Sequence, residues 1–387
     1  MTPTLSLQFR DDLPDSLAPQ WDALLARADA PTPFMSSRYL QALLQSEAAA
    51  PETGWVPQFA CLMEGERLVA ACPLWIKAHS WGEFVFDQAW ARAYAQHGLR
   101  YYPKALVAVP FTPVGGSRLL AQDDASRAML AQGLMQWTAE QGLSGLHLLF
   151  GSAADAEALV DLGWATREQP QFHWQRSAHW GSFENFLADL KREKRKKIQQ
   201  ERRHVRDAGI RVQVQVGMEI GPEDWTFFER CYANTYAVRG QAPYLPTGFF
   251  SQALPAGSDW VLLTAEQGGQ RLAASLLAWD KGQAVVYGRH WGCVQEVPFL
   301  HFELCYYAPI AWCMAHGVQR FEGGAQGQHK MARGLLPAPT RSQHWLADPR
   351  FFEAVQRFAE EEQSAVAAYE EELAARSPFK PPVLPGR

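Results

Sequence analysis

Self-similarity is the feature that most constrains how this chain can fold. Residues 65–75 read GERLVAACPLW, and residues 269–279 read GQRLAASLLAW. Gly65, Arg67, Leu68, Ala70 and Trp75 recur as Gly269, Arg271, Leu272, Ala274 and Trp279, at a constant offset of 204. Each segment follows an apolar run that ends in a turn, which predicts the second strand of a hairpin. Upstream, residues 5–9 alternate as residues 210–214 do, and Trp21 and Trp225 mark the helices that follow. Downstream, residues 135–148 parallel 310–323 at an offset of 175, pairing Trp137 with Trp312 and Gly142 with Gly317. Both glycines are placed to end a helix in the left-handed cap position. The fall in offset predicts an insertion in the first half, over the aromatic stretch 80–102. A chain that repeats strand, helix, strand meander, helix, strand calls for an α/β (α+β) fold. It consists of two mixed, mostly antiparallel sheets flanked by helices.

With 387 residues, two domains are expected. The boundaries read as 1–180 for the first, 181–209 for a connecting helix, 210–376 for the second with a C-terminal helix, and 377–387 for a loose tail. The net charge of −5 implies no nucleic-acid partner for the chain as a whole. The six cysteines form no C-x-x-C pair and sit mostly in apolar runs, which reads as buried free thiols in a reducing compartment. The opening residues lack the basic flank and apolar run of a secretory leader, and no window is long and apolar enough to span a bilayer. A cytoplasmic location follows as an expectation, with contact limited to the membrane periphery.

One electrostatic asymmetry stands out. Residues 191–206, KREKRKKIQQERRHVR, carry nine Lys or Arg against two Glu. Lys194, Arg195, Lys197 and Arg202 are the candidate contacts to phosphate or nucleic acid. The competing explanation is structural: a solvated helix face, or a dock for the acidic side of the helix predicted over 351–373. In the first half, residues 105–120 run from an apolar strand into Pro113, Val114, Gly115, Gly116, Ser117 and Arg118. Consecutive glycines let backbone amides turn toward an anion, and Arg118 is suited to a phosphate. Val114, Gly115, Gly116 and Arg118 are therefore the candidate cofactor loop, against the plainer reading of a turn between strands.

Polar and ionisable residues crowd the stretch 285–345. A transfer site needs a base, donors for developing negative charge and groups that align two substrates. Glu303 or Glu322 would be the base. Arg289, with His301, would stabilise developing charge. Tyr287, Trp291, Gln326, His329, Lys330 and Arg333 would hold the substrate. No spacing of His and Cys suggests a metal.

The motifs YGRHWG (287–292), EVPFLHFELCYY (296–307) and FEGGAQGQHKMARGLLP (321–337), together with the repeat, resemble the Gcn5-related N-acetyltransferase (GNAT) superfamily in tandem form. More narrowly, the chain is similar to FemAB-like proteins of peptidoglycan biosynthesis or recognition. The resemblance implies an N-acyltransferase or aminoacyltransferase that uses acyl-coenzyme A or aminoacyl-tRNA. The acceptor would be a small or nucleotide-linked amine such as a peptidoglycan precursor. Two rival readings are a non-catalytic protein of the same fold that binds muropeptide-like or nucleotide-linked ligands, and an RNA-binding module led by the basic helix.

Overall fold

The computed structural model describes residues 5–254, 260–325 and 327–381. The chain divides into two compact units. The first holds 1–169, 244–254 and 339–367; the second holds 170–243, 255–338 and 368–387.

In the first unit, Phe59–Glu64 and Arg67–Cys72 form the hairpin expected from the repeat, with Leu5–Arg10 beside the former and Leu120–Ala121 beside the latter. The hairpin then breaks. Proline has no N–H for the ladder, and Pro57 and Pro73 stand at the two breaks. Gln58 N donates to Leu74 O at 2.8 Å across the gap. Beyond it, Trp55–Pro57 and Leu74–Lys77 enter a second sheet with Lys104–Val107, Gly145–Leu149 and the end of Leu336–Leu346. The core lies where the helix Asp124–Glu140 covers these strands, around Leu62, Val69, Leu130, Leu134, Leu146 and Leu148. The insertion is real: Lys77 and Lys104 are joined by a segment with its own helix, Gln88–Gln96, whereas Asp280 and Val285 of the second unit are joined by a turn.

The second unit repeats the plan with continuous strands. Its order is Arg211–Val216, Trp260–Gln267, Gln270–Asp280, Val285–Cys293, Arg320–Glu322, then the end of Ala165–Gln175. Its hairpin carries a bulge between Ala265 and Glu266, and the first unit carries one between Leu62 and Met63. Gly142 and Gly317 end their helices with φ of +65° and +73°, as the cap reading requires. Pro309 lies at the first positions of the helix Ala308–Ala315, so it starts that helix late, after the π-turn Glu303–Tyr307.

Three expectations about local structure need correcting. The connecting helix is two helices, Phe183–Asp189 and Arg192–Asp207, because Leu190 is extended and bridges to Phe379. Ser182 does cap the first, accepting from Asn185 N. The tail is not loose over 377–381: Lys191 N donates to Pro378 O at 2.8 Å and Lys380 N to Asp189 O at 2.9 Å. The C-terminal helix Pro349–Ala375 belongs largely to the first unit, where Val355 joins Trp90, Tyr94 and Tyr101 and Glu362 takes both Nε and Nη2 of Arg167.

Candidate active site

The second unit's parallel strands, Val285–Cys293 and Arg320–Glu322, pair only from Val285/Arg320 to Tyr287/Glu322. There the ladder ends. On its other edge, Val285–Cys293 slips register: Leu276 faces His290 and Leu277 faces Gly288, so Arg289 is the extra residue of a β-bulge. A bulge bends its strand and re-aims a side chain. Gly288 permits the close approach, since a Cβ there would stand 3.2 Å from Glu322 O.

Glu322 sits where the pairing ends. It is buried, and its Oε1 accepts from Arg320 Nε at 3.0 Å. Burial pushes its carboxyl up to about 7, although Arg320 and Arg289 pull the other way. Tyr287 is its register partner across the parallel pair and is likewise buried. On the opposite strand its partner is His173, whose Nε2 lies 3.8 Å from Glu322 Oε2. Burial pushes His173 down to about 4, so its imidazole is neutral at pH 7. Sequence reasoning missed His173. The signal available was one polar residue between the aromatic pair Phe172 and Trp174, both of which face the core.

Behind the sheet, the other candidates form ion pairs. The helix Arg192–Asp207 buries Ile198, Glu201 and Val205 on one stripe. Glu201 receives Arg333 Nη2 at 3.3 Å and the Tyr307 hydroxyl. Arg333 also lies 3.5 Å over the Phe302 ring and donates to His329 O at 2.7 Å. Glu303 is clamped by Arg202, which contacts both its oxygens at 3.0–3.2 Å and lies over Phe183. Burial raises the Glu303 carboxyl, and Arg202 opposes the shift. Arg202 thus pairs with Glu303, and Arg333 with Glu201.

Lys330 is buried and donates to Gly324 O at 2.7 Å and Ala325 O at 3.1 Å, which holds the glycine loop after Glu322. Burial pushes its amine down to about 8. His329 Nε2 is 3.1 Å from the Tyr306 hydroxyl. His301 packs edge-on to Trp291, with ring centres 5.2 Å apart, and burial pushes it down to about 4. Both line a cavity of about 520 Å³ with Cys293, Glu296 and Pro298. Gln326 lies outside the described residues.

Of the proposed phosphate contacts, Lys197 is exposed, Lys194 is 3.8 Å from Glu193 and Arg195 donates to Ala188 O at 3.4 Å. The face opposite the buried stripe carries Arg192, Lys196 and Arg203, and Arg206 is exposed one turn after Arg202. Among the described residues, no group of three His, Cys, Asp or Glu side chains could hold a metal ion. No helix among them is long and apolar enough to cross a membrane.

A family model for FemAB-like proteins, described as peptidoglycan biosynthesis/recognition, matches residues 14–381. The chain belongs to the FemAB-like family. No curated protein matches it by sequence. Among solved structures it is similar to FemX, at 9% identity and TM-score 0.53, covering 88% of this chain and 98% of that one. It is also similar to L-PGS from Bacillus licheniformis, at 9% identity and TM-score 0.55, covering 89% and 97%. A third likeness is the C-terminal domain of a putative lysylphosphatidylglycerol synthetase from Agrobacterium fabrum, at 8% and 0.52, covering 87% and 94%. At such identities these likenesses show the shared fold.

In this FemAB-like chain the first unit's glycine turn is not an open phosphate loop. Arg118 is 1% exposed, and its guanidinium donates to Leu149 O and Gly116 O at 3.1 Å each and to Val114 O. Gly116 N donates to Phe150 O, and Ser117 N to Ala30 O. The next two amides, Arg118 N and Leu119 N, donate to the Asp155 carboxylate at 2.6 and 3.0 Å. A built-in carboxylate fills the place expected for an anion. Val114, Gly116 and Arg118 thus form a packed turn, with open space beside Gly115.

Proposed function

We propose that this FemAB-like protein transfers an aminoacyl group from aminoacyl-tRNA to an amine of a peptidoglycan precursor, with Glu322 as the base. The observation that carries the reading is Glu322 itself: a buried carboxyl held near neutrality where a parallel strand pair stops, beside a bulged arginine. A base is most effective when its pKa lies near the working pH.

In the reaction, the acceptor amine attacks the ester carbonyl, forming the C–N bond. Glu322 takes the amine proton and returns it to the departing ribose hydroxyl as the C–O bond breaks. Arg289 supplies positive charge for the oxyanion. Neutral His173 accepts a hydrogen bond from Glu322 when that residue is protonated and closes the gap between them. Lys330 holds the carbonyls of the following loop and sets its shape. Trp291 and His301 bound a cavity further along the bulged strand, which suits the acceptor. Glu303 is the weaker candidate for base because Arg202 occupies both its oxygens.

The choice of a polyanionic donor rests on the exposed Arg192, Lys196, Arg203 and Arg206. The internal bonding of the turn at Gly116 also supports aminoacyl-tRNA over a coenzyme A pyrophosphate bound in the first unit. The peptidoglycan acceptor rests on the family description.

Glu322→Gln is the test, assayed with aminoacyl-tRNA and a muropeptide amine. Turnover should drop about 10²–10⁴-fold, with acceptor affinity kept and the acidic limb of the rate profile near pH 7 lost. Unchanged turnover would remove Glu322 from the mechanism. Ligand binding with no turnover in the unaltered protein would favour the non-catalytic reading.

A further inference from the structure

We propose that the inserted segment 78–103 is a docking surface for an anionic phospholipid membrane. The segment contains two carboxylates, Glu83 and Asp87, and both are buried, 4% and 3% exposed. Both bind Lys104 Nζ, Glu83 at 2.7 Å. Ser80 Oγ joins them at 3.0 Å, and the Tyr101 hydroxyl donates to Asp87 at 2.7 Å. Lys104 is itself 1% exposed. All the negative charge of the insertion is therefore consumed inside it.

The outer surface has the opposite character. Trp81 is 66% exposed and Phe86 52%, and Leu99, Arg92, His97 and Arg100 are exposed as well. Three of these residues are chain neighbours of a group on the Lys104 cluster: Trp81 follows Ser80, Phe86 precedes Asp87, and Arg100 precedes Tyr101. Adjacent Cα atoms are about 3.8 Å apart, so the three project from one root. Two further bonds stiffen that root. Lys77 Nζ donates to Trp81 O at 3.3 Å, and Arg167 Nη1 donates to Phe86 O at 3.2 Å. The Ser80 and Tyr102 hydroxyl oxygens, 2.8 Å apart, tie the two ends of the segment together.

Exposed Trp and Phe on a rigid base, with Arg92 and Arg100 and no exposed carboxylate within the segment itself, match a bilayer interface. Aromatic rings partition to the headgroup level, and each cation gains from an anionic leaflet. A protein partner with an acidic surface would match the arginines but would leave Trp81 and Phe86 unexplained. The second half of the repeat has only a turn here, so the surface is an addition to the common plan.

The experiment is co-sedimentation of the full chain with phosphatidylcholine vesicles, with and without phosphatidylglycerol. Binding to the anionic vesicles alone is expected. Trp81→Ala and Phe86→Ala should each weaken it about tenfold or more, as expected for returning a side chain of that size to water. Arg92→Gln and Arg100→Gln should each weaken it about fivefold. Met218→Ala, at an exposed apolar residue of the other unit, should leave it unchanged. No sedimentation with either vesicle overturns the proposal, and so does equal loss in Met218→Ala. Concentration-dependent self-association that Trp81→Ala abolishes would assign the surface to a second copy of the chain instead.

Discussion

Removing the Asp155 carboxylate tests whether the first unit's glycine turn is closed from within. Asp155 accepts from three buried backbone amides: Arg118 N at 2.6 Å, Leu119 N at 3.0 Å and Ser152 N at 3.1 Å. Asp155→Ala leaves all three donors without a partner. Each unsatisfied buried donor costs about 1–3 kcal/mol, so the sum is about 4 kcal/mol after local relaxation. That is at the upper end for a single substitution. For a unit of this size it lowers Tm by about 8–16 °C, at about 2–4 °C per kcal/mol. Asp155→Asn keeps one carbonyl oxygen as acceptor and should lose about half as much. The assay is thermal unfolding with and without sulfate. Opening the amides should let sulfate recover part of the loss in Asp155→Ala and do nothing specific to the unaltered chain. A Tm within about 2 °C for Asp155→Ala would refute the reasoning, because three stranded amides cannot cost so little. So would tight binding of coenzyme A abolished by Gly116→Ala, since it would show the turn open.

Other expectations can be checked on the same protein. Glu322 is raised in the folded state, to about 7 against 4.5 for the free side chain. The folded chain therefore holds this proton while the unfolded chain has lost it, and stability contributed by the protonated form falls as pH rises from 4.5 to 7. Glu322→Gln should flatten that part of the stability–pH curve, measured by urea unfolding. Glu201→Gln leaves the buried Arg333 guanidinium without its carboxylate and should cost about 3 kcal/mol, whereas Glu201→Leu with Arg333→Met should recover most of it. Ending the chain at Arg376 removes the acceptor for Lys191 N and the Phe379 ring stacked on Trp180, so amide exchange at 188–192 should accelerate with Tm lowered. Phe379→Ala should reproduce most of that drop.

The repeat was legible because its carriers are local. Gly142 and Gly317 act through their own φ, and GERL and GQRL act through a turn and an alternation, so equivalent strands and helices could be named from residue types alone. The site was legible as a region only. Glu322, Arg289, Tyr287 and Lys330 are close in sequence, but His173 joins them through strand pairing about 150 residues away. The bulge that singles out Arg289 depends on register against Leu276 and Leu277, which no spacing within its own strand records. The basic run misled for a related reason. Counting cations finds the helix but not its rotation, and the rotation is set by Ile198, Glu201 and Val205. It turns Arg202 inward to Glu303 and leaves Arg203 and Arg206 outside.

The two halves also differ in how they treat the same positions, and this bears on which half carries the chemistry. In the first unit the turn after the Lys104–Val107 strand is closed by Arg118 and Asp155. Its antiparallel pair, Gly145–Leu149 with Leu336–Leu346, places His147 beside His344, with their Nδ1 atoms 2.9 Å apart and both rings buried. Burial pushes His147 down to about 3 and His344 lower than its usual range, so neither ring takes up a proton near pH 7. Arg118, Asp155, His147 and His344 each end on another buried polar group, which favours rigidity over turnover. In the second unit the parallel pair ends on Tyr287 and Glu322, and the carboxyl there is held at about 7. Holding a carboxyl so far from its usual range costs free energy in the folded state, and stability alone gives no reason to keep it. The physical contrast between Asp155, spent on its own backbone, and Glu322, poised at a strand end, is the reason to look for the reaction in the second unit.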